Sequence, residues 1–100
     1  MPWKRLLWKG NCGEPSQVAG AVTRRTDGVA LIATGLPLLA LNQVIVDGDD
    51  ATTAAIAGAV AVMRERRDRF VVSLRMGTDD RFVPFIAELG LRRDNQQAVC

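Results

Sequence analysis

An apolar stretch from Leu38 to Val46, a helical stretch from about Ala51 to Arg69, and a second apolar stretch, Phe70-Val-Val-Ser-Leu-Arg75, follow one another almost without a gap. A strand, a helix and a strand at that spacing predict a crossover unit. Such a unit sets its two strands parallel, with the helix packed over them. The rest of the chain has to be fitted around it.

The helix in this unit is legible from its own residues. Ile56, Val60 and Met63 recur at i, i+4 and i+7, flanked by Ala55, Ala59 and Val62. That is a wide apolar stripe made largely of alanine, which permits close packing on a sheet. Asp47, Asp49 and Asp50 crowd the start of the helix, and Asp49 or Asp50 suits the N-cap. Arg64, Arg66, Arg67 and Arg69 crowd its end. Both clusters complement the helix dipole. The arginines are therefore explained without a nucleic acid, and Glu65 and Asp68 interrupt them.

Upstream, Asp27-Gly28 separates Ala21–Thr26 from Val29–Thr34. Asp-Gly between two β-prone runs predicts a two-residue type I′ hairpin, whose central positions both need positive φ. The first strand should be half exposed with its arginines outward, and the second covered on both faces. Gly35-Leu-Pro37 breaks the run before the strand that ends at Val46. Asn42 lies inside that strand. It occupies either a bulge or edge position or one that aims its side chain into a cleft, and burial would oblige it to find hydrogen-bond partners.

Downstream, Gly77-Thr-Asp-Asp80 predicts a turn that caps a second helix. Phe82, Phe85, Ile86 and Leu89 form the core face of that helix, with Pro84 in its first turn and Gly90 just past its end. The whole reads as an α+β (α/β-like) domain over residues 20–93. An antiparallel meander of about three strands is followed by helix, strand and helix, giving a mixed sheet with helices packed on it. Residues 1–19 read as an irregular lead-in, in which Trp3, Leu6 and Leu7 could make one helical turn. Residues 94–100 read as a tail or a final strand.

One hundred residues suit a single domain. The apolar fraction is 48% and the net charge only +2, which argues against a disordered tail and against a dedicated nucleic-acid binder. The chain has no histidine and no tyrosine, so chemistry that needs a histidine base or ligand is excluded within it. Cys12 and Cys100 are too few for a disulfide framework or a four-ligand zinc site, and they read as free thiols in a reducing, cytoplasmic compartment. No cleavable signal is apparent, and the uncharged run Val29–Val46 is interrupted by Gly35, Pro37, Asn42 and Gln43. A membrane-associated protein using residues 29–63 is an alternative, and no membrane partner is the expectation. No metal site and no nucleophile with an adjacent base are seen.

Arg25-Thr-Asp-Gly28-Val-Ala30 fits the short pattern of an acetyl-CoA pyrophosphate loop, which makes Arg25 and Gly28 the cofactor-binding candidates. The same Gly28 is also accounted for by the hairpin. Asp27–Pro37, then Leu41-Asn42-Gln-Val-Ile-Val46, the alanine-rich helix, Arg69–Arg75 and Glu88-Leu-Gly-Leu91 form an ordered series. Taken as a set, residues 20–93 resemble the N-terminal half of bacterial acetyltransferases of the GNAT superfamily. The resemblance implies that Asn42 and Arg75 face a substrate cleft or a partner. The cofactor-binding strand, the phosphate loop with its helix, and the tyrosine acid of that family have no counterpart in these residues. The chain is therefore expected to be non-catalytic by itself and to take no cofactor, with no catalytic residue of its own. It would act as a homo-oligomer or with a second protein chain. The alternative is an N-acetyltransferase in which a partner supplies the acetyl-CoA site.

Overall fold

The computed structural model describes residues 5–10, 20–35, 41–67 and 69–94. Among these residues six strands form one mixed sheet: β1 (Arg5–Gly10), β2 (Val22–Thr26), β3 (Val29–Ala33), β4 (Gln43–Val46), β5 (Phe70–Arg75) and β6 (Arg92–Asp94). Helix α1 (Thr53–Arg66) joins β4 to β5. A 3₁₀ turn (Asp80–Phe82) and the short helix α2 (Val83–Glu88) join β5 to β6. The sheet order is β2-β3-β4-β5-β1-β6. The α+β class, the meander β2-β3-β4 and the parallel pair β4-β5 all agree with the sequence. Trp3, Pro37, Asp68, Cys12 and Cys100 lie outside the described residues, as do residues 36–40 of the expected break and third strand.

The hairpin forms as its turn residues demand. Asp27 and Gly28 both take positive φ, 46° and 74°, and Thr26 pairs with Val29. Helix α1 begins later than expected. Asp49 and Asp50 sit in a turn closed by the bond from Ala51 N–H to Gly48 O (3.2 Å), and the N-cap is Thr52, whose hydroxyl accepts from Ala55 N–H (3.1 Å). The reason is upstream. Gly28 O accepts from the N–H groups of both Asp47 and Gly48, so the hairpin turn rests on the loop after β4 before the helix can start. Arg67, at φ 59°, ends α1 in the left-handed region, two residues before the predicted end.

One segment read as irregular lead-in is a strand. β1 pairs along its whole length with β5, from Arg5 opposite Arg75 to Gly10 opposite Phe70, and its other side takes β6. Leu6 and Trp8 share the face of Leu74 and Val72, the period-two alternation of a strand. Gly10 completes the fit, because a Cβ there would lie 2.5 Å from the Phe70 ring and 2.6 Å from Leu91.

β5 and β6 both run antiparallel to β1, so they are parallel to each other. The chain thus makes two successive crossovers, β4-α1-β5 and β5-α2-β6, advancing across the sheet in one direction. Two crossovers of the usual right hand put both helices on the same face. The core confirms it: Trp8, Val29, Leu31, Val44, Val46, Phe70, Val72 and Leu74 of that face pack with Ile56, Val60 and Met63 of α1 and with Ile86 of α2. β3 is consequently covered on one face rather than two. Its other side chains, Ala30 and Ile32, are half-buried and exposed. Among the described residues no helix is long and apolar enough to cross a membrane.

Candidate functional site

Ligands of open sheets with parallel strands gather at the carboxyl ends of those strands. Here that edge holds the loop 47–52 after β4 and the turn 75–80 after β5. Arg75 is the last residue of β5, and its side chain is only 13% exposed. Asp79, fully buried, accepts three bonds from it: Arg75 N–H (2.8 Å) and Nε (2.9 Å) on Oδ2, and Nη2 (3.0 Å) on Oδ1. The same Nη2 reaches the carboxylate of Asp49 at 3.2 Å, a side chain that is 91% exposed. Arg81 donates to the backbone carbonyl of Asp49 (3.3 Å) and lies 4.6 Å over the Phe82 ring.

The electrostatics follow from these contacts. Burial by itself would push the Asp79 carboxyl up. The Arg75 side chain and backbone N–H bonds, with the charges of Arg75 and Arg81, outweigh that and hold it below its usual range. Arg75 is in turn raised, chiefly by its bond to Asp79. Asp79 was expected to cap the second helix. It closes the turn back onto β5 instead, while Asp80 accepts from Gly77 N–H (3.0 Å).

The remaining candidates lie elsewhere. Arg25, on edge strand β2, makes a bidentate pair with Asp47 (2.7 and 3.0 Å) that straps β2 to the loop after β4. Gly28 is followed by a strand, not by the helix start that cradles a phosphate, and its carbonyl is turned onto two N–H groups of that loop. Asn42 lies just before the start of β4, at the opposite end of the parallel strands from Arg75. It is fully buried, its Oδ1 accepts from Thr34 N–H (2.9 Å) and Thr34 Oγ1 (3.2 Å), and its Nδ2 donates to Arg69 O (2.9 Å). It therefore ties the end of β3 and the start of β5 to the start of β4. The structure brings Arg75 and Asp49 together and separates them from Asn42.

No family model, no curated protein and no solved structure matches the chain.

The sequence reading did not single out Asp79 or Asp49 as partners of Arg75, because aspartates beside a turn read equally as caps. The available signal is the spacing of Arg75 and Asp79, four residues apart around Gly77. The basic cluster at the end of α1 is accounted for in part by the fold. Arg64 donates to Leu89 O and Arg66 to Gly20 O (2.7 Å), binding the helix end to α2 and to the segment before β2.

A cleft of about 210 Å³ opens elsewhere, between α1 and the β2-β3 hairpin. Arg24 and Thr26 form one wall, Val29 and Leu31 the floor, and Ala54, Ala55, Gly58 and Ala59 the other wall. It is smaller than the roughly 300–1,000 Å³ of drug-sized ligand sites.

Proposed function

We propose that the chain is a non-catalytic module, akin to the N-terminal half of GNAT acetyltransferases, that works by assembling with a second polypeptide. One observation carries this reading: the polar side chains that could have served chemistry are engaged in holding the fold. Asp79 is bound by Arg75, Asn42 bridges three segments, and Arg25 is bound by Asp47. What the chain offers outward is of a different kind. Among the described strands β2 ends the sheet, with its side chains mostly exposed, and Ala30, Ile32 and Ile45 lie on the face opposite α1 and α2, none of them fully buried. Sheet edges and apolar faces of this sort are what association covers.

Sedimentation velocity on the purified chain is the test, with a dimer or larger species expected. A well-folded monomer at every concentration, in the absence and presence of candidate partner chains, contradicts the reading.

A second reading has one feature in its favour. β4 and β5 are parallel, and their carboxyl ends converge on Arg75, where an acyltransferase completed by a partner chain would take its substrate. Calorimetric titration of acetyl-CoA into the assembled complex of the chain with its partner separates the two. Heat of binding to the complex, with none to either chain alone, favours the enzyme, and no heat with the complex favours the module.

A further inference from the structure

Strand β2 and helix α1 together have the form of a groove for an added strand. β2 is the outermost of the described strands on its side of the sheet. In a two-residue hairpin the residues flanking the turn exchange hydrogen bonds, and the bonded pairs then alternate. Thr26, Arg24 and Val22 therefore turn their backbone groups to β3, and Thr23 and Arg25 turn theirs outward, where a further strand would bond.

Beside this edge lies the 210 Å³ cleft, floored by Val29 and Leu31 and walled by Ala54, Ala55, Gly58 and Ala59. α1 has only small side chains along this wall, so the space above β2 is left unfilled. A Cβ built on Gly58 meets nothing within 4 Å. The cleft has a free cation at its rim. The Arg24 side chain makes no hydrogen bond or ion pair among the described residues, whereas that of its neighbour Arg25 is held by Asp47.

We infer that this groove accepts an extended segment of a different chain, with a carboxylate side chain opposite Arg24 and an apolar side chain two residues away, entering the cleft. The inference rests on the assembly reading above and names one surface and one partner chemistry for it. Main-chain bonds to Thr23 and Arg25 hold the strand. Alternate side chains then face the cleft, as in other strand-addition sites. Charge selects the occupant. A second copy of the chain, paired through all five residues of β2 about a two-fold axis, would set Arg24 directly against Arg24 of the other copy. Like charges directly opposite are destabilising. A carboxylate in that place is favourable.

The probe is the peptide acetyl-Val-Thr-Glu-Thr-Val-amide, whose glutamate has an apolar residue two positions away on either side. It is titrated to millimolar concentration into isotope-labelled chain and followed by NMR. Shifts confined to residues 22–26 and 54–59, with slowed amide exchange at Thr23 and Arg25, are expected. The lysine-centred peptide should bind about tenfold more weakly, and Arg24→Glu should reverse that order. Gly58→Leu fills an open helical position, so the fold persists while binding is lost.

Equal binding of the two peptides, shifts elsewhere, or binding that survives Gly58→Leu overturns the proposal. So does the absence of shifts at millimolar peptide. Sedimentation of the unliganded chain scores the assembly reading separately: an oligomer that ignores the peptide, Arg24→Glu and Gly58→Leu sinks the groove alone.

Discussion

At the scale of single residues, the polar side chains that look chemical in this sequence are spent on architecture. Asp79 shows how this comes about. A buried carboxylate is costly unless it is paired and bonded, and Arg75 supplies both charge and two side-chain donors in a bidentate geometry. Removing one partner of such a pair leaves the other uncompensated, so Asp79→Ala should cost about 3 kcal/mol in urea denaturation. The pH dependence has a fixed sign. The Asp79 carboxyl is held below its ordinary value in the folded chain. Its contribution is therefore present in full above the ordinary aspartate range and is lost as pH falls through the folded value. Asp79→Asn should flatten the acid limb of a stability-versus-pH curve while lowering the plateau. A limb of unchanged slope would show that another carboxylate governs acid unfolding. Asn42 is the neutral counterpart. Asn42→Ala leaves the Thr34 N–H and Arg69 carbonyl without their partner and should cost about 2 kcal/mol, with no change in sedimentation.

At the scale of elements, the contact between two loops decides where α1 begins. Gly28 and Gly48 meet backbone to backbone: a Cβ on Gly48 would lie 2.6 Å from Gly28 Cα and 2.6 Å from Asp50 Oδ1. Gly48→Ala must push the hairpin turn off the loop and should destabilise by about 2 kcal/mol or more, as overpacking does. Gly58→Ala, in open helical surface, should instead stabilise by about 0.5–1 kcal/mol. Thermal melts of the two variants should move in opposite directions. The elements that were legible in the sequence are those whose signal is local. Asp27-Gly28 announces its hairpin, and the strand-helix-strand spacing announces the parallel pair. β1 was not legible, because its partner β5 lies at the far end of the chain and Leu6-Leu7 suits a helical turn as well as a strand. Its period-two signal, Leu6 and Trp8 against Lys9, is too short to decide alone. The site was legible only in part for a related reason. Arg75 was picked out, but the same aspartates can cap a helix or close a turn, and only the packing of Arg75 under the 75–79 turn chooses between them.

At the scale of the whole molecule, the order of crossovers determines which surface is left to association. Both described helices fall on one face because both crossovers advance in the same direction, and the opposite face is where an apolar side chain is left exposed among the described residues. Val71 and Ser73 at the middle of that face are buried, while Ile45 is half-buried and Ile32, toward the β2 side, is 36% exposed. An apolar side chain held in water at the rim of a buried patch is the natural centre of a contact with a second copy. Ile32 pairs with Thr23 on one side and Gln43 on the other, neighbours that tolerate a charge. Ile32→Glu should therefore leave the unfolding free energy in urea within about 0.5 kcal/mol of the parent, as exposed substitutions do. A carboxylate buried at an apolar contact has no partner there, so the same change should reduce the sedimenting species to monomer. Salt distinguishes this contact from the β2 edge. Association through an apolar face strengthens in sulfate, whereas attraction of a carboxylate to Arg24 is screened. Self-association that grows with sulfate and vanishes with Ile32→Glu assigns it to the face opposite α1 and α2. Self-association that persists in the variant removes that face from the interface.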